Sequence, residues 1–251
     1  MTPSELSCEK LHKSFQGLHA LRDVSLQFPM QSICAVIGPN GAGKTTLLNI
    51  LTGFLRADSG RCFIGRRDTT DLAPHTITKL GMARTFQELR LIQQVSVMDN
   101  IMLAIPDQCG EQWLSALLYL NTKREEAANR KRALDLLQLV ALSEKADTMA
   151  GRLSYGQQKL LAIACCLATD AKILLLDEPV AGVDPSMATR ILTLLRELQS
   201  QGKSIIFVEH DMEAVRQVAN IVVVMDAGQV IAKGVTTDVL NKPEIIEAYL
   251  S

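Results

Sequence analysis

The sequence has almost no net charge: 26 Lys and Arg stand against 27 Asp and Glu, a formal balance of −1. No overall basic field therefore argues for nucleic-acid binding. No apolar stretch approaches the roughly 20 residues needed to span a bilayer, so any membrane role must come through a partner. The amino terminus lacks a charged-then-apolar signal pattern, which argues against secretion. The six cysteines, Cys8, Cys34, Cys62, Cys109, Cys165 and Cys166, form no CxxC pair and no metal-ligand spacing. They read as buried, reduced thiols. Internal repeats and low-complexity segments are also missing. What is present is a chain of 251 residues with 47% hydrophobic content, ample for a well-buried core and for one domain with an inserted subdomain.

Apolar and polar residues alternate at the start, with Leu6 and Cys8, then Val24, Leu26 and Phe28, at period two. This predicts half-buried strands. Residues 32–37 form a short apolar run that ends in a glycine-rich turn, and residues 44–55 look helical. Residues 65–74 turn polar and read as a loop. From 88 to 166 the pattern becomes helical: Leu134, Leu137, Val140 and Ala141 fall at helical spacing, after a charged stretch from 123 to 132 that reads as a solvated helix face. Strands return after Thr169. Residues 173–176 and 204–208 are continuous apolar runs, as expected for strands buried on both faces of a parallel sheet. A helix from 186 to 201 separates them. Residues 221–225 and 229–232 flank the turn Asp226-Ala227-Gly228. Strands alternating with helices predict an α/β fold with a parallel sheet.

Three segments carry chemistry. Gly38-Pro39-Asn40-Gly41-Ala42-Gly43-Lys44-Thr45 fits G-x-x-x-x-G-K-[ST] in full. Glycines let successive N–H groups curl around phosphate oxygens, and the helix that follows aims its positive end at the same anion. Lys44 can reach the β and γ phosphates, and the Thr45 hydroxyl can ligate Mg²⁺. This loop alone does not choose between ATPase, GTPase and kinase. The one near match to a guanine-binding N-K-x-D motif, Asn241-Lys242-Pro243-Glu244, ends in Glu, has no apolar run before it and reads as a turn. Second, the run 173–176 ends in Asp177 and Glu178, at the strand end where such sheets hold ligands. Asp177 is placed to hold Mg²⁺ through water, and Glu178 to orient and deprotonate an attacking water. Third, Ser154 and Gln157 have capping-box spacing at the head of an apolar helix, and a capped helix start is also an anion site.

Leu153-Ser154-Tyr155-Gly156-Gln157 resembles the signature motif of ABC ATPases, with Tyr155 where the first glycine usually stands. The resemblance covers nearly the whole chain. It implies a P-loop ATPase core, 1–87 and 167–251, with an antiparallel β subdomain, and a helical subdomain, 88–166, carrying the signature. It also implies that Phe15 stacks on adenine and that Gly38 through Thr46 hold the phosphates of ATP. Gln87 is similar to the Q-loop glutamine, near γ phosphate and Mg²⁺ and linked to the membrane-domain docking groove. Asp184, in Ala181-Gly182-Val183-Asp184, matches the D-loop residue that communicates across a dimer. His210 matches the switch histidine at the γ phosphate. Ser154, Gly156 and Gln157 would meet ATP bound to a partner cassette, head to tail. Lys159 and Cys165 stand where arginines are frequent. More finely, Gly81 through Gln87, Asn100 and the tail from Gly234 through Ala248-Tyr249-Leu250 resemble the importer branch for branched-chain amino acids, urea and short amides. That branch implies a second, different cassette, transmembrane permease subunits, a solute-binding protein and a place on the cytoplasmic face of the inner membrane.

The alternatives that the sequence leaves are an exporter ATPase, a soluble ABC ATPase acting on nucleic acid or ribosomes, and a binding module with a dead site. A single cassette without coiled-coil or zinc inserts, and the near-neutral charge, weigh against the second. Intact Lys44, Asp177, Glu178 and His210 weigh against the third.

Overall fold

The structure, a computed structural model, describes residues 6–87, 89–106 and 122–245. Cys109 and the tail residues 248–250 lie outside them. From the amino end the elements run β1 (Leu6–Phe15), β2 (Leu18–Phe28), β3 (Ile33–Ile37), α1 (Lys44–Leu51), β4 (Ser59–Ile64), β5 (Arg67–Asp68), α2 (Pro74–Lys79) and β6 (Met82–Arg84). Then come α3 (Val97–Ala104), α4 (Thr122–Leu139) and α5 (Tyr155–Ala168), with 3₁₀ turns at Ser143–Lys145 and Ala150–Arg152. The chain continues through β7 (Ile173–Asp177), α6 (Pro185–Ser200), β8 (Ser204–Val208), α7 (Met212–Val218), β9 (Ile221–Asp226), β10 (Gln229–Val235) and α8 (Thr236–Leu240).

Two compact units result: Met1–Gln87 with Lys172–Ser251, and Glu88–Ala171. The first holds two sheets. Every residue of β3, β7 and β8 is buried, as continuous apolar runs demand, and these strands form the middle of a sheet ordered β10-β9-β3-β8-β7-β6. Pairing is parallel except for the hairpin β9–β10, which turns at Ala227 and Gly228. Register aligns the carboxyl ends of the three central strands, with Val36 opposite Val208 and Asp177 opposite Val208. What leaves those ends is therefore brought side by side. The second sheet, β2-β1-β4-β5, is antiparallel. Its period-two burial at Leu6 and Cys8 breaks at a register shift before Leu11, where Lys10 adopts φ 47°.

Two local expectations change. The helix after the glycine-rich loop stops at Leu51, not 55. The Thr52 hydroxyl donates to the Leu48 carbonyl at 2.6 Å, and the amides of Phe54 and Leu55 both turn back to the Asn49 carbonyl. Residues 65–74 are not wholly loop, because β5 pairs with β4 there and Pro74 opens α2, where a missing N–H costs nothing.

The second unit is helical. Ala133, Leu137 and Val140 are buried, whereas Leu134 is 44% exposed. Asn100 locks the start of α3: its amide accepts from the Ile92 N–H at 2.9 Å and donates to the carbonyls of Ile92 and Ser96. The expected boundary at 166 falls inside α5, whose hydrogen-bonded helix runs on to Ala168. Among the described residues no helix is long and apolar enough to cross a membrane. Cys8, Cys34, Cys62 and Cys166 are buried and Cys165 is partly so; all five are free thiols. Burial pushes Cys8, Cys62 and Cys165 up to about 12 and raises Cys34 and Cys166 as well.

Candidate functional site

The site begins where β3 ends. Gly38 lies at φ 145°, and a β-carbon there would sit 2.0 Å from the carbonyl oxygen of Met225 on the neighbouring β9. Only glycine lets the chain leave the sheet at this point. Gly38→Ala should cost about 2–4 kcal/mol of stability, read as a lower midpoint in thermal or denaturant unfolding. An unchanged midpoint would contradict the packing described. The loop then curls back, Ala42 donating to the Pro39 carbonyl at 3.2 Å, and Leu47 is bonded to the Gly43 carbonyl at 2.8 Å. The first amides of α1 lack an intrahelical acceptor by position, which suits them to an anion.

Lys44 is only 6% exposed, and its ammonium donates to the carbonyls of Gly38 at 2.7 Å and Pro39 at 2.9 Å. Burial pulls its pKa below the usual lysine range, while Glu178 and Asp177 pull it back. A cationic donor is thus held against the inner wall of the loop.

At the end of β7 the two carboxylates part. Asp177 is buried, with its carboxylate 2.9 Å from the guanidinium of Arg84, both side chains being 3% exposed. Arg84 also donates to the Asn49 amide oxygen of α1 at 2.6 Å, and the Asp177 N–H donates to the Thr85 hydroxyl at 3.2 Å. Glu178 turns the other way. It adopts φ 50°, a sparsely populated conformation for a residue with a side chain, and its N–H is fixed on the Val208 carbonyl at 2.9 Å. Its carboxylate lies 3.3 Å from Nε2 of His210, which follows β8.

Lys44, Glu178 and His210 share one cleft of about 430 Å³. Its walls include Phe15, Asn40, Gly41, Ala42, Gly43, Lys44, Thr45, Thr46, Gln87, Glu178 and His210. Gly38 and Pro39 contribute the carbonyls that hold Lys44. Asp177 is not among the cleft residues, and its carboxylate pairs with Arg84. Ser154, Gly156 and Gln157 belong to the other unit and are not among the cleft residues. There they form a full capping box: Ser154 Oγ accepts from the Gln157 N–H, and the Gln157 amide accepts from the Ser154 N–H at 3.1 Å. Tyr155 is 46% exposed with the Lys159 ammonium 5.0 Å from its ring centre.

The side chains expected to meet a metal, those of Thr45, Gln87 and Asp177, would offer it oxygen donors only. A hard cation that keeps several waters and phosphate oxygens, such as Mg²⁺, fits that set. Among the described residues no group of His, Cys, Asp and Glu could hold a metal ion by itself.

Sequence reasoning did not single out Arg84, Asn49 or Glu209. The one available signal was a charged residue at the edge of an apolar strand, at Arg84 and at Glu209, which is 1% exposed after Val208.

Comparison with known proteins agrees with the geometry. The family described as ABC transporter matches residues 21–181. A probable branched-chain amino acid transport ATP-binding protein, LivG, of Archaeoglobus fulgidus is 40% identical over 245 residues, 98% of this chain and 95% of the relative. A solved ATP-binding cassette of an ABC transporter in its ADP conformation superposes with a TM-score of 0.85 at 34% identity, covering 100% of both chains. The dimeric structure of a bacterial ABC transporter cassette gives a TM-score of 0.78 at 26% identity, covering 92% of this chain and 98% of that one.

Proposed function

The chain belongs to the ABC transporter family as an ATP-hydrolysing subunit, and from that premise we propose that it powers import of branched-chain amino acids or related small polar solutes. The observation that carries the reading is the convergence of Lys44, Glu178 and His210 in one cleft at the ends of adjacent strands. The near-full-length likeness to a branched-chain amino acid transport subunit supports the choice of solute.

In the proposed mechanism adenine lies on Phe15, which is 45% exposed at the mouth of the cleft. The N–H groups of the loop from Gly38 to Thr46 and the Lys44 ammonium hold the phosphates. Thr45 and Asp177, with Gln87 beside them, would hold Mg²⁺, which would neutralise phosphate charge. Glu178 orients water and takes its proton as the water oxygen attacks the γ phosphorus and the bond to ADP breaks. His210 holds the transferring group in line, with Nε2 already beside the Glu178 carboxylate. Ser154, Gly156 and Gln157 complete the site of a second cassette, and the same residues of that cassette complete this one. Each monomer is then half a catalyst, and closure of the pair is the step that couples hydrolysis to the permease. Gln87, where the first unit ends, carries that motion toward the membrane partners.

The cassette would lie peripherally on the cytoplasmic face of the inner membrane, with permease subunits, a second cassette and a solute-binding protein. Affinity capture of tagged Glu178→Gln protein from detergent-solubilised native membranes with ATP tests this, read by mass spectrometry. Permease subunits with a different cassette and a solute-binding protein are expected. A permease without a binding protein would turn the reading to export. Ribosomes or nucleic-acid complexes without membrane proteins would overturn the transporter role.

A further inference from the structure

Glu209 is a carboxylate between β8 and His210, 1% exposed, that the proposed hydrolysis does not use. Both of its oxygens accept from backbone. Oε1 takes the N–H of Val180 at 2.8 Å, and Oε2 takes the N–H of His210 at 3.1 Å. The two amides belong to separate segments of the site. Val180 opens the turn after Glu178 that ends at Asp184, whose carboxylate caps α6 by accepting from the Met187 N–H at 3.0 Å. His210 carries the ring that meets Glu178. A buried carboxylate accepting from two amides makes charge-assisted hydrogen bonds, stronger than neutral ones and costly to leave unmade.

We propose that Glu209 is a positioning residue that ties the turn at Val180 to the backbone of His210 and so holds the histidine in place beside Glu178. The inference rests on the catalytic reading of His210 given above. The chemistry of the side chain makes the clamp specific. A glutamine has nearly the same volume but offers one acceptor and one NH₂ donor. One of the two amides would then face an N–H instead of an oxygen. The clamp acts between segments of the chain and touches no phosphate, so its loss should slow turnover while sparing nucleotide affinity.

The test is a double-mutant cycle on the assembled transporter, purified with its second cassette and permease, with kcat for ATP hydrolysis read on that complex and Kd for a fluorescent ATP analogue measured separately. Glu209→Gln should lower kcat about tenfold, or about 1.4 kcal/mol in the barrier, with Kd within about twofold of wild type. Added to His210→Ala, it should lower kcat by less than about twofold further, because the group it positions is already gone. Losses that multiply would overturn the clamp while leaving the histidine's role intact. Unchanged kcat in His210→Ala alone would overturn the catalytic reading of His210 itself, a distinct result, and the inference with it. Wild-type protein gives a second measurement that needs no variant to fold. The amides of Val180 and His210 should exchange hydrogen slowly and with similar protection. Rapid exchange at either would also overturn the proposal.

Discussion

Glu178→Gln should abolish steady-state ATP hydrolysis while leaving ATP bound. Glutamine fills the same space and leaves the backbone free to keep φ 50° and the N–H bond to the Val208 carbonyl. It can still contact His210 across the 3.3 Å gap. What it cannot do is accept the proton of the attacking water. Loss of a general base costs about 10²–10⁴ in rate. Phosphate release under saturating Mg-ATP should fall by that range, with nucleotide retained on the protein after rapid desalting. The strained backbone at Glu178 belongs to the same argument. A positive φ at the strand end turns the carboxylate away from buried Asp177 and into the cleft, so two adjacent acids occupy different environments. Turnover within about threefold of wild type would remove Glu178 from the role of base. Asp177 is not a ready substitute, since its carboxylate is already 2.9 Å from the Arg84 guanidinium.

The parts of this molecule that could be read from sequence are those whose physics is local. A short unbroken apolar run is expected to be buried on both sides, and so β3 and β7 are expected where they lie. Asp226-Ala227-Gly228 permits the tight turn that joins β9 to β10. The phosphate loop is legible because its function resides in consecutive backbone N–H groups and one lysine. The capping box of α5 is legible because Ser154 and Gln157 satisfy each other three residues apart.

What could not be read depends on contacts distant in sequence. Arg84 and Asp177 are 93 positions apart, and only the parallel pairing of β6 with β7 brings them together. Glu209 reaches Val180 across 29 positions. In sequence Glu209 is one acid at the end of an apolar strand, a signal too common to mark it as 1% exposed. The overlong helix after Lys44 is a further example. Periodicity continues through Leu55, but the Asn49 carbonyl captures two later amides and closes the helix early. Leu134 fits the apolar spacing of α4, yet Ala133 takes the buried position and leaves the larger side chain 44% exposed.

Lys44→Ala should fail one step earlier, at binding. The ammonium is only 6% exposed and bonds to the carbonyls of Gly38 and Pro39, so the loop holds its donor where phosphate oxygens would arrive. Alanine removes the charge-assisted hydrogen bonds that this ammonium would make to the β and γ phosphates of bound ATP, each contributing about 1.5–3 kcal/mol. Loss of two raises Kd on the order of 100-fold or more. A fluorescent ATP analogue titrated into variant and wild type measures this directly. The expected pattern is the reverse of Glu178→Gln, with nucleotide lost rather than trapped. The protonation of Lys44 adds a sign that can be checked. Burial depresses its pKa, with Glu178 and Asp177 opposing the shift, and only the protonated form attracts phosphate. ATP affinity should therefore weaken as pH rises through that depressed pKa, earlier than an ordinary lysine would dictate, and Lys44→Ala should remove this dependence. Wild-type affinity in Lys44→Ala would mean that the loop amides alone hold the nucleotide.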